Sequence, residues 1–329
     1  MRGDESHMRF ADPRHARVAR HAWVPVALLA VAVTSCAPPA RLPPPKPSAS
    51  AASLAPGCLP GTVVAPRLRI GVPSHGTPRT LGHEALANAL SRRLALPVEI
   101  ILLDRYDEID EGMANGLLEV AMLPPLEYVK ARNRDPCLTA RLTLVFDGTV
   151  LYSSYLVTRK DSGLTGLRQL VGHSVAFVDQ TSASGWLFPV ARLSELSVDP
   201  FRSLSDVLFL GNHRAVIEAV IDGRATAGAT YPGALEGARR DGLDVGALAI
   251  LGIAGRIPHD AVVVRPDIEP SQARAIIDAL ASLNSTTAEG RAALSFGEGL
   301  GGFVPSTDAF YDQVREVVRQ VGRFAGGTP

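Results

Sequence analysis

The sequence predicts a two-lobed α/β protein, and three observations carry that prediction. Strand-like and helix-like segments alternate from Leu68 almost to the C-terminus, the pattern of parallel sheets buried under helices. The alternation runs for roughly 260 residues, a length that favours two lobes over a single sheet. Hydrophobic residues make up 46% of the 329, enough to fill both cores.

The elements follow in order. "LRIGVP" is a short apolar strand ended by Pro73. In "GHEALANALSRRLAL", Leu86, Leu90 and Leu94 share one helical face, and Pro97 closes the helix. "VEIILL" reads as a strand, "YDEIDEGMANG" as a helix closed by glycine, and "EVAML" as a strand. After a loop, "LYSSYLVTR" has β-branched and aromatic strand content. A second run then begins with helix "GLRQLVG", strand "SVAFVD", helix "WLFPVARLSEL" and strand "VLFL". It continues with helix "HRAVIEAVIDG", strand "TAGAT" and helix "ALEGARRDG". Strands "LAILGIAG" and "DAVVVRP" and three helices complete the chain.

The N-terminus reads as a targeting segment. Arg9, Arg14, Arg17 and Arg20 precede the apolar run "AWVPVALLAVAV". That run falls short of the about 20 apolar residues that span a bilayer. It ends in Val33-Thr34-Ser35-Cys36, which looks like a bacterial lipobox, with cleavage before Cys36 and lipid added to it. Residues 1–35 are thus expected to be a lipoprotein signal peptide, and 36–65 a lipidated cysteine followed by a tether rich in Pro, Ala and Ser. An exported chain meets an oxidising compartment, so the remaining Cys58 and Cys137 are expected to pair.

Lysine plus arginine balances aspartate plus glutamate at 33 each, and no basic block is present. That balance, with aromatics at 5%, argues against a nucleic-acid surface. The stretch "SVAFVDQTSASGWLFP" runs from strand into helix through Thr181, Ser182, Ala183, Ser184 and Gly185. It fails as a nucleophile elbow, because Ser182 and Trp186 stand where glycines are needed. No phosphate loop ending in Gly-Lys-Ser/Thr occurs, and no His-Glu-x-x-His or close Cys/His cluster exists for zinc. As an anion site, the helix start offers free N–H groups, the hydroxyls add donors, and Gly185 allows a close approach. As a plain structure, Ser182 or Ser184 is an N-cap. On these residues alone the two readings are equal. A second strand-to-helix edge, "FLGNHRAVIEAVIDGRATAGATY", sets His213 at a helix start and ends at Tyr231. Ligands of open α/β sheets collect at such edges.

These segments resemble the phosphate/phosphite/phosphonate-binding family of periplasmic solute-binding proteins. The resemblance covers about residues 66–325 and is most specific in "YLVTRKDSGLTGLRQLVGHSVAFVDQTSASGWLFP" and in the His213 segment; "GMANGLLEVAMLPPLEYVKA" is similar as well. It implies a two-lobed class II periplasmic-binding-protein fold with the ligand cleft between lobes. Lobe 1 is expected at 66–155 plus 256–329 and lobe 2 at 156–255, with crossover strands near 155 and 255 as the hinge. It further implies ligand contacts from Tyr106, Tyr152, the loop Thr181, Ser182, Ala183 and Ser184, His213, Tyr231 and Asp260.

Three departures bear on the ligand: Ala183 stands where the family loop often has a threonine, Gly233 near where aminophosphonate binders hold a carboxylate, and Pro124 for a common glycine. The resemblance implies capture of a phosphorus oxyanion for an ABC permease and its ATPase. The protein would be a monomer held by lipid at the periplasmic face of a membrane, with no catalytic residues, metal or cofactor. A ligand sensor read by a membrane signalling partner is the alternative, and a periplasmic phosphoester enzyme is a weaker one.

Overall fold

In a computed structural model, residues 57–74 and 79–324 are described. The signal peptide, Cys36 and most of the tether lie outside the described residues.

The first sheet grows from two strand–helix–strand units. β1 (Leu68–Pro73), α1 (Leu81–Leu94), β2 (Val98–Leu103), α2 (Tyr106–Ala114) and β3 (Val120–Leu123) give a parallel trio with β1 in the middle. Leu86 and Leu90 of α1 are fully buried, as their spacing requires. α3 (Pro125–Arg134) starts on Pro125, whose missing N–H is one of the orphans of a first helical turn. β4 (Ala140–Phe146) then joins this sheet.

The second sheet begins with β5 (Leu151–Arg159), followed by β6 (Ser174–Phe177), α4 (Phe188–Glu195), β7 (Asp206–Phe209), α5 (His213–Ile221), β8 (Ala227–Thr230), α6 (Pro232–Arg240) and β9 (Leu248–Pro258). Its strand order is β7-β6-β8-β5-β9. The chain returns through β10 (Ala261–Val264), α7 (Pro270–Ala281), α8 (Ala288–Leu294), β11 (Leu300–Pro305) and α9 (Asp312–Phe324). This completes the first sheet in the order β11-β4-β10-β3-β1-β2.

Both sheets are mixed, which corrects the expectation of parallel sheets. β10 runs antiparallel between β3 and β4, and β5 runs antiparallel to both β8 and β9. The antiparallel strands β5, β9 and β10 are those next to the passages between the sheets, which no strand–helix–strand unit bridges. β5 and β9 pair along their whole length, from Leu151↔Pro258 to Arg159↔Leu248, and this commits both to the second sheet. The chain therefore changes sheets between Phe146 and Leu151, and again at His259–Asp260, at the ends of the paired strands β5 and β9 that contain residues 155 and 255. Two further differences concern local signals. β4 and β11 gave none that stood out in the sequence, and "GLRQLVG" forms only a single 3₁₀ turn at Leu167–Leu170.

One hydrophobic cluster is continuous across both sheets. It joins Ile109, Leu126 and Val263 on the first side to Leu156, Phe177 and Val190 on the second, with Val314 and Val317 of α9 between. Two further clusters close the outer faces, one under α1, α7 and α8 and the other under α5 and α6.

Cys58 and Cys137 are bonded, with Cα atoms 5.6 Å apart and a sequence separation of 79. The bond ties the start of the described chain to the turn after α3. Val63 adds an isolated bridge to Ile268. In the chain-entropy account, a loop of this length gives about 4 kcal/mol, though engineered and native bonds commonly deliver about 2–4. Replacing both cysteines by serine is expected to lower the free energy of unfolding by about 2–4 kcal/mol, read by urea denaturation, with an unchanged circular dichroism spectrum.

Candidate functional site

The hydroxyl-rich loop does not enter an ordinary α-helix. Ala183–Leu187 forms one π-turn that runs directly into α4. Leu187 N–H reaches back to the Ser182 carbonyl at 3.0 Å, and Phe188 N–H to the Ala183 carbonyl. The next residue is Pro189, which has no N–H to give. That absent N–H would have served the Ser184 carbonyl in a π register or the Gly185 carbonyl in an α register. Both are taken up from the second sheet: Ser154 Oγ on β5 donates to the Ser184 carbonyl at 2.8 Å, and Val178 N–H after β6 donates to the Gly185 carbonyl at 3.1 Å. These two bonds dock the turn on β5 and on the end of β6. π-turns of this kind recur at functional sites.

Ser182 is the N-cap, accepting Gly185 N–H at 3.0 Å. The first-turn N–H groups of Ala183 and Ser184 have no acceptor within the helix, as at any helix start. Gly185 has a different role from the one its sequence position implied. A Cβ there would lie 2.6 Å from Val178 Cβ and 2.9 Å from Ser182 Oγ, so the glycine permits strand-to-turn packing rather than ligand approach. Thr181 stands apart. It is exposed, and its N–H and hydroxyl both bond Asp179 Oδ1, the former at 2.7 Å.

The remaining expected residues converge on Ser184. Its hydroxyl is 3.4 Å from His213 Nε2 at the first position of α5, where Asn212 caps the helix by accepting Ala215 N–H at 2.9 Å. His213 meets Tyr231, which precedes α6, with centroids 4.8 Å apart and rings edge-on. Tyr231 meets Tyr152 of β5 at 5.5 Å. Gly233 makes room for this ring, since a Cβ there would lie 2.8 Å from Tyr231 Cε2. Tyr106 opens α2, but its side chain lies outside the described residues.

Two groups that the sequence did not flag extend the cluster. His259 stacks on Tyr152 with centroids 5.0 Å apart, and Phe146 at the end of β4 meets His259 at 4.8 Å. Both lie where the chain changes sheets. The only hint was that His259 adjoins Asp260. Ser154, in the middle of an apolar strand, carried a clearer one: a hydroxyl in a buried strand needs a partner, here the π-turn.

Asp260 supplies the carboxyl of the site. The residue keeps some solvent exposure, but surrounding protein desolvates its carboxyl, which pushes its pKa up to about 7. Its charge in turn helps raise the Tyr231 phenol, behind the larger effect of burial. Burial pushes the neighbouring His259 down to about 4, so this ring is neutral at physiological pH. Among the described residues, no group of three or more His, Cys, Asp or Glu could hold a metal ion.

Two mixed sheets joined by an antiparallel crossover pair, with hydroxyls, phenols and a carboxyl gathered at the joint, define a two-lobed substrate-binding protein of the ABC-transporter type. The family model described as "ABC transporter, phosphonate, periplasmic substrate-binding protein" matches residues 70–311, and the chain belongs to that family. Among relatives, the phosphate-import protein PhnD of Mycolicibacterium smegmatis is 28% identical over 262 residues, covering 73% of this chain and 80% of that protein. Two solved structures share the fold. The binding component of an ABC phosphonate transporter from Pseudomonas aeruginosa has a TM-score of 0.67 at 20% identity, covering 79% of this chain and 88% of its own. PhnD1 from Prochlorococcus marinus in complex with methylphosphonate has a TM-score of 0.64 at 18% identity, covering 78% of this chain and 98% of its own.

Two outcomes follow from this geometry. Gly185→Ala is expected to cost about 1–3 kcal/mol in chemical denaturation, because the new methyl overlaps Val178. For Asp260, an unfolded aspartate titrates near about 3.9. The folded state thus holds this proton up to about pH 7, where the unfolded chain has already lost it. The cost of ionised Asp260 is absent at low pH and complete above about pH 7. The Tm gain of Asp260→Asn over the parent should therefore be near zero at about pH 4 and grow to a plateau above about pH 7. A gain independent of pH would contradict the assignment.

Proposed function

We propose that this protein captures a phosphorus oxyanion, namely phosphate, phosphite or a phosphonate, in the cleft bordered by Ser184, His213, Tyr152, Tyr231 and Asp260. It then delivers the ligand to a membrane permease driven by a cytoplasmic ATPase. The domain acts as a monomer, is held at the periplasmic face of the membrane through lipidated Cys36, and carries out no catalytic step. Tyr106 and the Ser182–Ala183–Ser184 turn complete the ligand shell, and Thr181 supports the loop at its exposed edge.

The observation that carries this reading is the pairing of a donor-rich turn with a carboxyl of raised pKa. Ser184 Oγ, the Ala183 and Ser184 N–H groups and His213 supply donors to an anion without a fixed lysine or arginine charge. Asp260 handles the proton. Neutral, it donates to an oxyanion; ionised, it accepts from a P–OH group. Phosphorus oxyanions carry an exchangeable proton near neutral pH and sulfate does not, so ionised Asp260 discriminates between them. Gly233, with no carboxylate near the ligand, disfavours an amine-bearing phosphonate.

Calorimetry and thermal shift of the purified domain with phosphate, phosphite, methylphosphonate and aminoethylphosphonate, with sulfate as control, test this directly. At least one phosphorus ligand should raise Tm, and sulfate should not. Ser184→Ala should weaken that ligand by roughly tenfold or more, about 1.4 kcal/mol, with little change in the ligand-free Tm. A folded protein silent to all four would refute the ligand class, and an unaltered Kd in the serine variant would refute the loop.

A further inference from the structure

We infer that Tyr311 and Thr143 are positioning residues of the ligand site, two buried hydroxyls that hold the His259–Asp260 joint from behind so that Asp260 faces the cleft. The inference rests on the reading of Asp260 as a ligand contact.

The joint is where the chain leaves β9 for β10, and such a two-residue connection has no ladder of its own to fix it. Side chains do so instead. Tyr311 OH donates to the His259 carbonyl at 2.9 Å and lies 3.3 Å from Thr143 Oγ1. Thr143 Oγ1 sits 3.2 Å from the His259 carbonyl and 3.3 Å from that of Asp260, and its single proton serves one of them at a time. Backbone bonds complete the brace: His259 N–H to the Val150 carbonyl at 3.0 Å, and Leu144 N–H to the Asp260 carbonyl at 3.4 Å. Both hydroxyl-bearing residues are almost wholly buried, so no solvent replaces these bonds when they are lost.

Tyr311 is itself locked in place. Its ring packs on Tyr128 with centroids 4.6 Å apart. Tyr128 OH donates to Asp308 Oδ1 at 2.6 Å and accepts Ala140 N–H at 3.0 Å, while Arg315 pairs with the same Asp308. The start of the C-terminal helix is thereby fastened to the first sheet, and the brace on Asp260 is rigid. The titratable groups around Asp260 are Tyr231 from the second sheet, Tyr311 from the C-terminal segment, and the adjacent His259, with His213 further along the cluster. Burial raises both phenols, and His259 is neutral above about pH 4, so none of these three obscures a titration of Asp260 near neutrality.

The test is carbon-13 NMR titration of the Asp260 carboxyl in aspartate-labelled protein, which separates it from His213, with methylphosphonate calorimetry in parallel. The variants are Tyr311→Phe, Thr143→Val, the two combined, and Thr143→Ser, which keeps the hydroxyl. The combined variant should lower the Asp260 midpoint by about one pH unit as the carboxyl relaxes toward water, and weaken methylphosphonate by roughly tenfold. Tyr311→Phe alone should shift it in the same direction, and Thr143→Ser should behave as the parent. A midpoint that stays put in Tyr311→Phe and in the combined variant overturns the inference, even if Tm falls. A shifted midpoint in a protein whose parent binds no phosphorus oxyanion upholds the positioning role and removes the ligand reading instead.

Discussion

The docking of the Ala183–Leu187 turn onto the second sheet is the constraint on which the candidate site depends. A continuous α-helix through residues 183–195 would consume the Ser184 and Gly185 carbonyls internally, leaving nothing to bind the turn to the sheet. Pro189 has no N–H for the Gly185 carbonyl, Phe188 N–H goes to Ala183 rather than to Ser184, and both carbonyls are satisfied by Ser154 of β5 and by Val178 after β6 instead. Gly185 is required by the same event, because the turn lies so close to Val178 that a methyl group does not fit. The Ser184 hydroxyl faces His213 because the backbone beneath it is held from two strands rather than by its own helix.

In the proposed reading, the anion would be held around that turn by dipoles instead of cations. Helix starts at Ala183 and His213 contribute N–H groups and the positive ends of their peptide dipoles, which are worth most where water is displaced. A carboxyl in the same place looks unfavourable for an anion until its environment is considered. Desolvation holds the Asp260 pKa near neutrality, so at and below that pH the carboxyl is not a full repelling charge. The rings of Phe146, His259, Tyr152 and Tyr231 form a continuous series beside it in the chain crossover.

The location of the site follows from the crossover. β5 and β9 form one antiparallel pair, so the two passages between sheets lie side by side, and Tyr152 on one faces His259 on the other. The hydrophobic cluster that continues through both sheets and α9 supports this joint from behind.

Much of this was readable in the residues. Alternating strand and helix patterns gave the α/β class, the leucine spacing of α1 gave its buried face, and the hydroxyl-rich loop and His213 stood out at two strand-to-helix edges. Such features are local, because helix and strand periods, caps and prolines act over a few residues. Other features were not accessible that way. The antiparallel insertion of β10, the strands β4 and β11, and the part played by His259, Phe146, Ser154 and Tyr311 depend on partners more than twenty residues distant in sequence. "TSASG" in isolation was equally a helix cap and an anion loop. Serine caps and anion-binding serines present the same atoms, and they differ only in what faces them. The packed structure supplies the facing groups, His213 and the strands beneath, because only a completed core brings residues 154, 184, 213 and 260 together.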